Sequence, residues 1–550
     1  MMNFLDDLKM YVRFAWGLKS FLRHRISLEE AKEIVKKRLE DRETNFLRLV
    51  RKGIFGYPKS PYLPLMKLAQ CEMGDIENMV KDRGLENTLR ALREAGVYVT
   101  FEEFKGREPM VRGGKVIPVE ARNFDNPYLS HYYEATSTGT TGAGTRVAID
   151  LDHLAALTPN IMLSNDAHGI LYLPTCLWFG TLPDSTGIDN LLRGALFKNI
   201  PCKWFSPITK KNYKPALKNK IATYYTILMG HLFGLSFPWP QPVTLDQAAL
   251  VAHWAKNTLM ARGPCLIRTH VSMAVRICLA AQQEGIDLTG LAFVIGGEPP
   301  TPAKVREITR TGAHFAPSYW FTEAGIVGFG CAHPVDSNDL HFFKDRLALI
   351  QHPIQVPGFE IEVNAFCYTS LLPSTPKIIL NVENDDYGEI ETRSCGCPME
   401  EYGFSEHLRH VRSFRKLTGE GVTLVGSEII KILEEVLPAR FGGSPLDYQL
   451  VEEEDEQGFT RLSLLVNPKV EIRNEAEVIQ TVLKELGRAS VAADLARSMW
   501  EQANTFRVRR MSPVWTRGGK LMPLRLMERA LSSEQEDSKI KIYGKKVEMK

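Results

Sequence analysis

Apolar residues at Phe14, Leu18, Phe21 and Leu22 recur at the intervals that place them on one face of a helix. Arg23, His24 and Arg25 close that helix with charge of the sign its C-terminus favours. Ser27 followed by Glu30 has the spacing of a capping box and predicts the start of a second helix. This basic, amphipathic start is expected to pack on the main body, with contact to membrane lipid as the alternative. From about 145 to 345, short apolar runs alternate with longer helical stretches. Leu291–Gly297 is an apolar strand ending in glycines, and Thr301–Thr311 follows as a helix with Pro302 in its first turn. Ala313–Phe321 is then a second buried strand. Strand and helix in alternation predict an α/β fold.

A boundary is expected between about 398 and 420. Beyond it lie a helix over Ser427–Leu437, strands in Asp447–Glu454 and Thr460–Pro468, and a helix capped by Asn474 that runs to Leu486. That is a small α+β unit. The stretch from Glu536 is rich in lysine and reads as a solvated tail. The 550 residues predict two or three domains. The expected division is 1–130, an N-terminal helical extension and the start of the large domain, then 131–411, the large domain, then 412–550, the small C-terminal domain and its charged tail.

A formal net charge of only +3 argues against a dedicated nucleic-acid binder. No apolar run reaches the roughly 18 residues that span a bilayer, so stable membrane insertion is not expected. The first residues carry acids ahead of their apolar part and no small-residue cleavage site, which is unlike a signal peptide. Nine thinly spread cysteines do not suggest a disulfide framework and fit a reducing cytoplasm.

Four segments concentrate chemistry. Ala135–Arg146 crowds glycines and hydroxyl side chains into one loop, a composition suited to a polyphosphate, although no Gly-Lys-Ser/Thr follows to make a Walker A loop. Gly296, Gly297 and Glu298 sit at the carboxyl end of a strand, where open α/β sheets place ligands. Ser318–Gly325 ends an aromatic run in Thr322-Glu323, with a tyrosine able to stack on a base and a glutamate able to hold Mg²⁺. Thr516–Arg525 carries Lys520 behind two glycines, an exposed point charge for a carboxylate or phosphate.

In this order, the four segments resemble the adenylate-forming superfamily of acyl-CoA synthetases, adenylation domains and luciferase-like enzymes, over about Tyr132 to Arg525. Gly296–Ile308, Asp339–Asp345 and Cys395-Gly396-Cys397-Pro398 look most like its phenylacetate-CoA ligase branch. The resemblance implies a large α/β domain of the adenylate-forming type and a small, mobile α+β C-terminal domain. It also implies ATP and Mg²⁺, with coenzyme A as the expected co-substrate. Ser137, Thr138, Gly139, Thr140, Thr141 and Gly142 would wrap the β- and γ-phosphates. Gly296, Gly297 and Glu298 would border the adenine and Tyr319 would stack on it. Thr322 would touch the α-phosphate, and Glu323 would bind Mg²⁺. Asp386, with Asp385 as the alternative, would hold the ribose; Arg412 would open the hinge, and Lys520 would be the catalytic lysine.

Three segments depart from the family. Arg146 stands where a lysine is usual, Phe414, Arg415 and Lys416 replace the acidic hinge, and Trp320 replaces the glycine that borders the acyl pocket. A bulky indole there predicts a small or flat acid, unless it turns into the core. His270 is a further acyl-pocket candidate, although a helix cap suits it as well. His407 and His410 are expected near the hinge rather than in the chemistry.

The expected reaction is activation of a small carboxylic acid as an acyl-AMP, with pyrophosphate leaving, followed by transfer to coenzyme A. A carrier protein, an amine or a partner protein is the alternative acceptor. An AMP-transferring nucleotidyltransferase and a catalytically silent relative are further alternatives. Cys331, His333, Cys395 and Cys397 supply three thiolates and one imidazole, a complete set for a structural Zn²⁺ site. The additional N-terminal helices are candidates for a homodimer contact.

Overall fold

The computed structural model describes residues 4–136, 146–208, 216–355, 362–413, 416–419, 422–425, 429, 432–488, 491–514 and 524–525. Its centre is a twelve-stranded mixed sheet. From one edge, Pro240–Pro242, Lys203–Ser206, Thr175–Trp178, Cys265–His270, Leu291–Gly296 and His314–Phe321 lie side by side and parallel. The remaining strands are antiparallel and follow in the order Gly325–Gly330, Leu340–Phe342, Glu406–Ser413, Val382–Thr392, Glu362–Ser370 and Leu347–Gln355.

The parallel strands are apolar on both faces because both faces are covered. Leu291, Phe293 and Ile295 point to a core shared with the helices Ala248–Arg262 and Val271–Gln283. Val294 points the other way, to a core shared with the helices Phe4–Phe21, Leu151–Ala167 and Thr186–Leu196. Phe14, Leu18, Phe21 and Leu22 are buried there, so the first helix packs on the body as its periodicity predicts. Ser27 and Glu30 form the expected capping box of the helix Leu28–Glu40. The next N-terminal helices, between Arg42 and Phe104, share a third core with the antiparallel half of the sheet through Phe46, Leu89, Phe342 and Tyr368. Residues before 130 thus complete the same layered body.

The small C-terminal sheet has the order Phe506–Arg510, Thr460–Val466, Tyr448–Glu454, Leu524–Arg525. Asn474 accepts a hydrogen bond from the Ala476 N–H at 3.0 Å and starts the helix Glu475–Arg488. Leu450, Leu462 and Trp500 join the core that contains Val271 and Leu288. Thr301 donates to Glu454 at 2.8 Å, and the Arg276 guanidinium lies 4.5 Å from the Phe459 ring centre. Among the described residues, no helix is long and apolar enough to cross a membrane.

Candidate active site

The parallel strands all direct their carboxyl ends to one side, and a cavity of about 350 Å³ lies there. Its wall gathers His270, Gly296, Gly297, Glu298, Tyr319, Trp320, Thr322, Glu323, Asp386 and Arg412, residues from five separate stretches of chain. Strand geometry explains the convergence. His270 and Gly296 end neighbouring strands in register, and Gly296 is also paired with Ser318. A β-carbon at Gly296 would stand 2.8 Å from the Ser318 carbonyl, so this close approach excludes a side chain. Between Tyr319 and Trp320 the pairing with Gly325–Gly330 shifts register. Such a bulge re-aims side chains at a strand end.

Tyr319 lines the cavity and donates through its hydroxyl to Asp386 at 2.5 Å. Asn384 Nδ2 and Ser413 Oγ also donate to the Asp386 carboxylate, at 2.9 and 2.8 Å. Asp386 is therefore held in one orientation at the cavity wall. Its neighbour Asp385 has a φ of +56° and is turned inside, 1% exposed.

Glu298 lines the cavity, and its carboxylate is held by neighbouring residues. It accepts from the Ser272 N–H at 2.9 Å and the Ser272 hydroxyl at 2.7 Å, and it pairs with Lys304 at 2.6 Å. Burial alone would raise this carboxyl; the Lys304 ammonium outweighs that and holds it below the usual range. Glu298 thus fixes the start of the helix Val271–Gln283 and leaves the glycines before it to shape the cavity. His270 occupies the N-cap position of that helix without a side-chain cap bond, and its ring lines the cavity.

Glu323 is 3% exposed and pairs with Lys105. Burial would raise its carboxyl, but Lys105 beside it, helped by Lys377, holds it low. Lys105 also lines the cavity. Nothing in the sequence singled it out, because it follows a four-residue helix, Phe101–Phe104, far from every motif. A cation therefore stands where Glu323 was expected to meet Mg²⁺. Trp320 does not turn fully inside; it lines the cavity, with the Arg193 guanidinium 4.9 Å from its ring centre.

Arg146 is engaged elsewhere, with Glu134 and with Asp125 at 3.3 Å. The strands Tyr132–Thr136 and Arg146–Asp150 pair antiparallel and flank the glycine–hydroxyl loop. Ser137, Thr138, Gly139, Thr140, Thr141, Gly142 and Lys520 lie outside the described residues.

The cysteine pairs do converge, with a corrected fourth member. Ligand atoms of Cys331, His341, Cys395 and Cys397 lie within 4.8 Å of one another. His341 Nε2 is 3.0 Å from Cys397 Sγ and 3.8 Å from Cys395 Sγ. Its Nδ1 donates to the Phe404 carbonyl at 2.7 Å, which leaves Nε2 to face the sulfurs. His333 is exposed and contributes its backbone N–H to Cys331 Sγ at 3.3 Å. The turn after Cys331 carries the His333 ring outward, whereas the strand Leu340–Phe342 points His341 inward.

No protein-family model and no curated protein matches the chain. Solved structures do. A 2-hydroxyisobutyryl-CoA ligase, solved with 2-HIB-AMP and CoA in the thioesterification state, overlaps with a TM-score of 0.55 at 14% identity, over 88% of this chain and 89% of that one. The fold is that of the adenylate-forming enzymes. An open conformation of the same ligase gives a TM-score of 0.43 at 14% identity, over 84% and 90% of the two chains. A variant of the o-succinylbenzoate CoA synthetase of Bacillus subtilis gives 0.40 at 12% identity, over 93% and 97%. The large α/β domain and small C-terminal domain of this architecture agree with the expected fold class.

The Glu298–Lys304 pair yields a stability prediction. Glu298→Ala strands a buried ammonium and should cost about 3–5 kcal/mol in urea unfolding. Because the folded carboxyl is held low, its contribution is complete above the ordinary value near ~4.3 and is lost as pH falls through the folded value. Glu298→Gln should correspondingly flatten the acid side of the stability profile; an unchanged acid side would contradict this role.

Proposed function

We propose that this protein uses Mg·ATP to activate a carboxylic acid as an acyl-AMP, releases pyrophosphate, and transfers the acyl group to a thiol, coenzyme A. The observation that carries the reading is the convergence of Gly296–Gly297, Tyr319–Glu323, Asp386 and Arg412 on one cavity at the carboxyl ends of the parallel strands. An adenylate-forming fold with these residue types at these places supports it. The 2-hydroxyisobutyryl-CoA ligase of the same fold was solved with an acyl-AMP and CoA, and the same sequence of chemistry is proposed here. The segments Gly296–Ile308, Asp339–Asp345 and Cys395–Pro398 favour the phenylacetate-CoA ligase-like branch.

In this reading the adenosine lies against Gly296, Gly297 and the Tyr319 ring. Asp386, already oriented by three donors, accepts from the ribose hydroxyls. The acid carboxylate attacks the α-phosphorus and pyrophosphate leaves. No base is needed, because an ionised carboxylate is already the nucleophile. The demand is for positive charge and N–H donors around a phosphoryl group in flight. Thr322 and the Lys105 ammonium meet it from the cavity wall, and Lys520 is assigned to the carboxylate. Glu323 is a hard oxygen donor suited to Mg²⁺, which would neutralise charge on the phosphates. Lys105 balances Glu323 before the nucleotide arrives, so the buried carboxylate is not stranded. For the second half-reaction, rotation of the small domain would withdraw Lys520 and admit the thiol.

Pyrophosphate release from Mg·ATP across a panel of small acids, with AMP followed in parallel, tests the reading. Acid-dependent release, with AMP increasing when CoA is added, is the expected result. Glu323→Gln should lower kcat by about 10²–10³, the size of losing one electrostatic contact to a transition state. An adenylate that CoA does not discharge would move the acceptor to a carrier protein or amine, and AMP left on the substrate would indicate a nucleotidyltransferase.

Trp320 is assigned to the wall of the acyl pocket. Trp320→Gly should admit acids larger by a ring or several methylenes, read as a shift in kcat/KM across the panel. Unchanged preference would remove Trp320 from the pocket.

The thiol–imidazole cluster is assigned to a structural zinc held by Cys331, His341, Cys395 and Cys397. Four protein ligands close the coordination sphere, so this metal would stabilise and not catalyse. Metal analysis of purified protein should give one zinc per chain, retained in His333→Ala and lost in His341→Ala. The reverse pattern would restore His333 as the ligand.

A further inference from the structure

The acid end of the cavity carries more positive charge than a single carboxylate accounts for. Arg193, on the helix Thr186–Leu196, and Arg268, on the strand Cys265–His270, both line it. Arg193 is 5% exposed and packs its guanidinium on Trp320. Among the described residues neither arginine makes an ion pair or a side-chain hydrogen bond. The carboxylate whose charge acts on Arg193 is Asp189, which is occupied by hydroxyl donors: Tyr133 on one oxygen and Ser185 on the other, the latter at 2.9 Å. Burial, and then the charge of Arg193, lower Arg268 to about 9. His153, also in the wall, is held neutral by burial and by three arginines including Arg193. Two other carboxylates of the wall have ammonium partners, Glu323 with Lys105 and Glu298 with Lys304. One carboxylate set against two guanidiniums leaves this end with an excess positive charge in a largely dehydrated place, which an anion would relieve.

We propose that Arg193 and Arg268 form an anion subsite, so that the substrate is a compact acid bearing a second carboxylate or comparable anionic group. One carboxylate goes to the α-phosphorus; the other is gripped by the planar guanidinium forks, whose geometry suits carboxylate. Trp320 and its contact with Arg193 hold the subsite close to the reacting end and keep the acid short. Which carboxylate reacts rests on the adenylation reading, but binding at the subsite does not.

Matched acids separate the two claims. Succinate, glutarate and isophthalate would be compared with butyrate, valerate and benzoate. Binding would be read by thermal shift in the presence of Mg²⁺ and a non-hydrolysable ATP analogue, and pyrophosphate release would be measured separately. The diacids should bind about 10–100-fold more tightly than their single-carboxylate partners, the range of a hydrogen bond to a charged group. Arg268→Gln should erase that difference and leave the weaker binding of the single carboxylates unchanged. Without ligand it should melt no lower than the parent chain, because it removes a half-buried charge that has no ion-pair partner among the described residues. Arg268→Met serves as a second variant, with the side-chain length kept and the charge gone. Equal binding of both classes by the parent protein would overturn the subsite. So would equal loss of both classes in either variant. Diacid binding without pyrophosphate release would keep the subsite and overturn adenylation.

Discussion

The strand His314–Phe321 is the constraint on which the rest is built. It is parallel to Leu291–Gly296 on one side and antiparallel to Gly325–Gly330 on the other, so it is where the sheet changes character. A parallel neighbour brings two carboxyl ends together and opens a crevice for ligands. An antiparallel neighbour returns the chain at once, which sets Thr322 and Glu323 in a turn at the rim of that crevice. The register shift between Tyr319 and Trp320 divides the two faces of the site. Tyr319 turns to Asp386, and Trp320 turns to Arg193. Gly325 completes the turn with a φ of +78°, and a β-carbon there would stand 3.0 Å from His153 Nε2. Any residue but glycine would therefore strain the backbone and press on the cavity wall.

Around this strand, buried charge is arranged in opposite-sign pairs. Glu298 meets Lys304, and Glu323 meets Lys105. In each case the carboxyl stays ionised despite burial, because the ammonium offsets the loss of hydration. The two pairs do different work. Glu298–Lys304 joins two helix starts and is part of the frame. Glu323–Lys105 opens on the cavity. Arg193 and Arg268, by contrast, make no ion pair among the described residues.

Much of the fold was legible in the sequence. Leu291–Gly296 and His314–Phe321 carry the dense apolar pattern of parallel strands, and Thr301 with Pro302 marks a helix start that the structure places at Pro302–Thr309. What sequence spacing missed depends on long-range register. Lys105 has no motif of its own; it reaches the cavity because its short helix packs beside Val382–Thr392. Arg193 and Arg268 sit in apolar runs that read as core, and only the sheet order brings them to one cavity. His333 has the close spacing from Cys331 that suits a second ligand, yet a turn there carries its ring outward. His341, eight positions further on in sequence, is delivered by a strand.

That strand, Leu340–Phe342, is only three residues long, yet it carries the sheet across to Glu406–Ser413, the strand that places Arg412 in the cavity wall. Such a short ladder offers few backbone bonds, so side chains must hold the junction. They do so from two directions. On one side His341 meets Cys331, Cys395 and Cys397. On the other, buried Asp339 accepts from His407 at 2.6 Å and pairs with Arg393. Burial alone would raise the Asp339 carboxyl, but the bond from His407 and the N–H of Val335 keep it ionised. His341 and His407 lie opposite each other in register, with ring centres 4.2 Å apart, so the two clusters brace the same pair of residues. The thiol cluster therefore bears on the cavity through geometry: it braces the junction from which Arg412 is presented, at the end of the large sheet and the start of the chain that leads to the small domain.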